Sequence, residues 1–168
     1  MSIPELTVRA IMRADVPVAA ASTPVGELAR MMVEHDVPGL PVIEDGEMIG
    51  IVTEADLIQR EAEVDVPRVA TLFDAVLVGD AGTPFDEELR RVTATTAEEL
   101  MTSPVFSIRE DATLAELATL IMQRRVNPVP VVDAGRQIVG LATRRGLIET
   151  IAKLEEEAGG VRSREQSG

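Results

Sequence analysis

Thr53 and Asp56 stand three residues apart, directly after the apolar run Gly50-Ile51-Val52. A strand that hands over to a helix at this point places a hydroxyl and a carboxylate on the first helical turn, where unpaired backbone N–H groups also face outward. Such a set suits ligand recognition. The same spacing is also that of a capping box, in which Thr53 and Asp56 only satisfy the helix's own amides. No other part of the chain offers a catalytic constellation. His35 is the single histidine, beside Asp36 at the end of an amphipathic helix and without a partner set. Glu98-Glu99 and Glu155 to Glu157 read as solvated helix faces, and Met31, Met32 and Met122 as core or dimer-packing residues. With no Gly-rich phosphate loop, nucleophile elbow or zinc motif, no catalytic residue, metal site or cofactor is expected, and the chain is read as a non-enzyme.

The Thr53 motif occurs in a repeated unit. Residues Met12 to Ile58 align with Met101 to Ile148 at a shift of 89, which becomes 90 after one extra residue at a turn. Identical pairs include Met12/Met101, Val37/Val126, Pro41/Pro130, Gly50/Gly140, Thr53/Thr143 and Leu57/Leu147. Two copies of one unit tend to pack together and leave related clefts between them. Each copy, at about 50 residues, is too short to bury a secure core alone, so a shared core is expected.

Composition narrows the function. The 168 residues carry a formal net charge of −13 and only 2% aromatics. A nucleic-acid partner is disfavoured, because counterion displacement needs cations and base stacking needs rings. With no cysteine, disulfides and thiol chemistry are excluded. No apolar run approaches a membrane span and nothing resembles a signal peptide, so a soluble, cytoplasmic protein without membrane contact is expected.

Each copy predicts the order β-α-β-β-α. A short extended stretch (17–20; 105–108) precedes a helix with apolar residues at helical spacing, Val25, Leu28, Met31 and Met32 in one copy and Leu114, Leu117, Leu120 and Ile121 in the other. Thr23 before Pro24, and Asp111 and Thr113 ahead of Glu116, read as helix starts. A hairpin follows around Glu44-Asp45-Gly46-Glu47 or Asp133-Ala134-Gly135-Arg136, with Asp-Gly the stronger turn signal. The second helices begin at Thr53 and Thr143. The fold class is therefore α+β, with units over 1–62 and 95–158. Residues 63–94 are expected to be an ordered insertion, since Leu72, Phe73, Val76, Leu77 and Phe85 require burial, and 159–168 a frayed tail beginning at Gly159-Gly160.

Taken together, these motifs resemble a pair of CBS domains, the β-α-β-β-α units named after cystathionine β-synthase. The resemblance spans roughly 6–62 and 95–155. It rests on Met12 and Met101 opening each unit, on Val37-Pro38-Gly39-Leu40-Pro41-Val42 and Val126-Asn127-Pro128-Val129-Pro130-Val131 entering each hairpin, and on the Gly-apolar-x-Thr-x-x-Asp pattern at Gly50 to Asp56. It implies two units packed as a pseudo-twofold pair and an adenosine nucleotide (AMP, ADP, ATP, S-adenosylmethionine or a cyclic dinucleotide) bound between them as a regulatory ligand. By position, Asp56 would accept from the ribose hydroxyls and Thr53 would sit beside the sugar or phosphate. Val37, Pro38 and Ile51 would wall the adenine. The second copy keeps Thr143 but has Gly146 where Asp56 stands, which implies one good site and one weak or empty site. In similar degenerate copies, basic residues at the positions of Arg144 and Arg145 turn to phosphates in the neighbouring site; surface arginines paired with the chain's many acids are the alternative, and Arg124, Arg125 and Arg136 could add to the positive field. A homodimer through the amphipathic helices is expected, with an unidentified effector protein reading the signal. A ligand-free dimerisation module is the alternative; an enzyme would need a catalytic set supplied by 63–94.

Overall fold

A computed structural model describes residues 6–61 and 93–165, with side chains described to Glu157. The expected insertion lies outside the described residues apart from Thr93 and Ala94.

Each repeat builds a three-stranded sheet in the same way. In the first, β1 (Ala19–Ala20) leads to α1 (Val25–His35), the hairpin strands β2 (Gly39–Glu44) and β3 (Glu47–Thr53), and α2 (Glu54–Glu61). In the second, the short α3 (Ala97–Leu100) precedes β4 (Ile108–Arg109), α4 (Leu114–Arg124), β5 (Val129–Val132), β6 (Ile138–Ala142) and α5 (Arg144–Glu165). The first strand of each sheet pairs parallel to the second, and the second antiparallel to the third. The α+β class and the duplicated unit are as the sequence predicts.

Local chemistry accounts for most of the element boundaries. Asp45 and Gly46 both take positive φ, 50° and 82°, so Asp-Gly supplies the twisted two-residue turn that a hairpin needs. Thr113 caps α4: its hydroxyl accepts the Glu116 N–H, and the Glu116 carboxylate accepts the Thr113 N–H at 2.7 Å and hydroxyl at 2.9 Å. The Thr113 backbone N–H, and then its hydroxyl, hold the Glu116 carboxyl below its ordinary pKa. Two expectations fail. Thr23 does not cap α1; its hydroxyl accepts the Ala20 N–H in the preceding turn, and Pro24 occupies the cap position. The chain does not fray from Gly159-Gly160; the last helix runs through them to Glu165, since mid-helix glycine weakens a helix without forbidding it.

The expected shared core is resolved as two cores, each completed by the other copy. Val8, from a 3₁₀ turn at Val8–Ala10, is fully buried among Leu114, Leu117, Val129 and Val131 of the second repeat. Backbone bonds from Val8 to Ala112 and from Leu114 to Leu6 fix it there. Reciprocally, Ala94, Ala97 and Leu100 fill the first repeat's core beside Leu28, Leu40 and Val52. Neither unit can therefore lose the other without exposing its own interior.

The repeated methionine and glycine explain one another in this exchange. Met101 lies on Gly50 and Met12 on Gly140. A Cβ at Gly50 would stand 2.2 Å from Met101 Sδ and 2.9 Å from Met101 Cβ, closer than atoms pack. Gly50→Ala is expected to lower stability by about 1–3 kcal/mol through overpacking, read as a reduced urea midpoint. Gly146→Ala, where the nearest atom would be 3.4 Å away, should be neutral or slightly stabilising in the same experiment.

Candidate functional site

Because each unit carries the other's leading segment, the end of β3 faces residues of the second repeat. Ile51 exchanges backbone hydrogen bonds with Thr102, at 3.1 and 2.9 Å. This contact brings the Thr53–Asp56 turn against Thr102 to Phe106 and Arg125 to Pro128, around a first cleft of about 380 Å³. That volume lies within the range of small-molecule sites.

Asp56 is the only buried charged residue among those described, 6% exposed, and it lines this cleft. Its Oδ2 accepts both the backbone N–H and the hydroxyl of Thr53, each at 2.8 Å. The capping chemistry is therefore real. It also fixes the carboxylate's position at the cleft wall, so cap and site are not exclusive alternatives. Thr53 works through Asp56 by donating to it. The cleft's apolar faces come from Ile51, Val105, Phe106, Val126 and Pro128, and the Arg124 guanidinium stacks 4.9 Å from the centre of the Phe106 ring. Arg125 and Arg144 also line it, and among the described residues neither guanidinium is in an ion pair.

A second cleft of about 730 Å³ lies around the start of α5. With glycine at 146, the threonine changes role: Thr143 Oγ1 accepts the Gly146 N–H at 3.0 Å, where Thr53 donates to an acid. Arg13 donates to the Asp36 carbonyl at 2.7 Å. Arg145 pairs with Glu149 at 2.9 Å, and that hydrogen bond raises its pKa.

The structure thus distributes the residues singled out from sequence. Thr53, Asp56, Ile51, Pro38 and Arg144 meet at the first cleft. Val37 does not: it is 3% exposed and lines the second cleft, with Thr143 and Arg145. Its repeat equivalent Val126 lines the first. Sequence reasoning noted Arg125 only as a contributor to the local positive field, and it passed over Val105 and Phe106, whose signal was weak, an apolar pair shortly after Met101. Among the described residues, no cluster of histidine and acids could hold a metal ion and no helix is long and apolar enough to cross a membrane.

The CBS domain family model matches residues 8–63 and 97–153, covering both repeats. The chain belongs to the CBS domain family. This CBS pair is 28% identical over 151 residues to the chloroplastic CBS domain-containing protein CBSX2 of Arabidopsis thaliana, covering 86% of this chain and 62% of that protein. It is 26% identical to the uncharacterized protein MJ1426 of Methanocaldococcus jannaschii, covering 74% and 79% respectively. A homoserine O-acetyltransferase of Methanosphaerula palustris matches at 27% over 87% of this chain, which corresponds to only 24% of the enzyme. The chain thus spans less than two thirds of several of the curated relatives that it matches. Among solved structures, CBSX2 in complex with AMP is similar at TM-score 0.66 and 24% identity, covering 88% of this CBS pair and 97% of that chain. The CBS domain pair of protein MJ0100 in complex with 5'-methylthioadenosine and S-adenosyl-L-methionine follows at TM-score 0.64 and 23%, covering 88% and 97%. At these identities the likeness establishes the fold.

Proposed function

We propose that this CBS pair is a non-catalytic sensor module that binds an adenosine nucleotide in the first cleft. The observation that carries the reading is the buried Asp56 carboxylate, fixed by Thr53 at the wall of a cleft with apolar faces. A carboxylate held in place suits a ribose diol, and hydrogen bonds to a charged acceptor contribute roughly 1.5–3 kcal/mol each. Ile51, Val126, Phe106 and Pro128 supply flat apolar surface for a purine, and Arg125 and Arg144 supply cations for a phosphate. The AMP and S-adenosyl-L-methionine complexes of the two structural relatives support the ligand class. The two arginines favour phosphorylated adenosines over the cationic sulfonium of S-adenosylmethionine. The test is a thermal-shift screen of AMP, ADP, ATP, S-adenosylmethionine and a cyclic dinucleotide. A ligand at 100 times its Kd stabilises by about 2.7 kcal/mol, several degrees for a chain of this size. No shift from any of the five leaves the rival reading, a scaffold whose Thr53–Asp56 pair only caps α2.

Within the same proposal the module works in the cytoplasm as a homodimer, and an effector protein reads its ligand state. Val33, Ile58, Met122 and Ile148 are 65–81% exposed and occupy equivalent positions of the two repeats, on α1, α2, α4 and α5. Such an apolar set supports a helix-mediated contact. Replacing all four with glutamate should convert a dimer of about twice the 18.0 kDa chain mass into a monomer by light scattering. An unchanged mass would remove these helices from the interface.

A further inference from the structure

Pro38, Glu54, Asn127 and Arg144 line both clefts and so form the wall between them. Glu54 and Arg144 are equivalent positions of the two repeats, each opening a helix, yet they carry opposite charge. Their backbones are used alike: the Glu54 N–H donates to the Pro38 carbonyl at 3.0 Å and the Arg144 N–H to Asn127 Oδ1 at 2.9 Å. Their side chains are not interchangeable, because only the guanidinium attracts an anion. In the second cleft Arg13 is engaged by the Asp36 carbonyl and Arg145 by Glu149, whereas Arg144 is in no ion pair among the described residues. Arg125 is likewise in no ion pair among the described residues but lines the first cleft alone, so Arg144 is the unpaired cation that the two clefts share.

We propose that the two clefts are negatively coupled through Arg144, so that a phosphorylated ligand in the first and a phosphate-type anion in the second compete for one guanidinium. The inference rests on the nucleotide reading of the first cleft. A planar fork that pairs with an anion on one side is withdrawn from the other, and by linkage each occupant weakens its rival by the same factor. The coupling applies only to ligands that carry phosphate. Adenosine, held by its base and sugar, is indifferent to the second cleft.

The test measures AMP and adenosine affinities by calorimetry at constant ionic strength, with inorganic pyrophosphate as the probe of the second cleft. In the wild type, pyrophosphate should raise the AMP Kd to a plateau about fivefold higher, at the low end of common coupling factors, and leave the adenosine Kd within about twofold. In Arg144→Gln, AMP should bind more weakly from the outset and pyrophosphate should have no further effect. Arg145→Ala, a change at the second cleft alone, should shift the midpoint of the pyrophosphate effect to higher concentration. An AMP Kd that rises without a plateau and ignores Arg145→Ala would mean direct competition in the first cleft and would overturn the coupling. So would an AMP Kd that pyrophosphate leaves unchanged, with nucleotide binding itself intact. If neither AMP nor adenosine binds, the nucleotide reading falls and the coupling with it.

Discussion

Asp56→Ala should weaken AMP binding by one to two orders of magnitude and so cut the stabilisation that AMP gives at 100 times its wild-type Kd from about 2.7 to about 0.4–1.4 kcal/mol. The size follows from the loss of at least one charge-assisted bond to the ribose, about 1.5–3 kcal/mol, where each 1.4 kcal/mol is a factor of ten. The apoprotein will lose some stability too, since the carboxylate accepts both the N–H and the hydroxyl of Thr53. Loss of such a cap costs about 1–2 kcal/mol. The two effects separate in practice. Urea denaturation without ligand reports the cap, and the increment on adding AMP reports the ribose contact. Thr53→Val divides them further: it removes the hydroxyl that steadies Asp56 but retains the carboxylate, so it should weaken AMP less than Asp56→Ala does. Equal losses would place the ribose contact on Thr53 instead.

The converse experiment is Gly146→Asp, which restores in the second repeat the acid that the first repeat carries. A Cβ there would meet Thr143 Oγ1 at 3.4 Å and the Ile11 carbonyl at 3.5 Å, ordinary contact distances, so the substitution fits. Thr143 then has a carboxylate to donate to, as Thr53 has, in place of the Gly146 N–H that it now accepts. Adenosine stoichiometry by calorimetry should rise from one to two per chain, with the new site within about tenfold of the first. Adenosine is the proper probe because it avoids any competition for Arg144. A stoichiometry that stays at one would show that a carboxylate at this position is not sufficient to make the site.

Much of this arrangement was legible in the sequence because duplication states each element twice. Helical spacing in Leu114 to Ile121 repeats that in Val25 to Met32, and Asp45-Gly46 specifies its turn through positive φ. What a repeat cannot state is which copy faces which. The pairs Met12/Met101 and Gly50/Gly140 were visible as identities, but their contact is crossed, each methionine lying on the other copy's glycine. The same crossing moved Val37 to the second cleft and brought Val126 to the first, because the hairpin entry of one unit faces the helix start of the other. Phe106 was missed for a related reason. It lies in an irregular stretch with no period to reveal its direction, and the Ile51–Thr102 bridge that brings that stretch beside the Asp56 turn is a tertiary contact. For Arg144 the family resemblance implied a phosphate contact, but its place on a wall common to two clefts is a property of the packed pair.

Where a nucleotide sits in this protein is decided most directly by a crystal structure with AMP. The prediction is a ribose hydroxyl within about 2.5–3.0 Å of the Asp56 carboxylate, the adenine against Ile51 and Val126, and the phosphate directed toward Arg144 or Arg125. AMP bound away from the Asp56 carboxylate, or a first cleft that stays empty at saturating AMP, would contradict it.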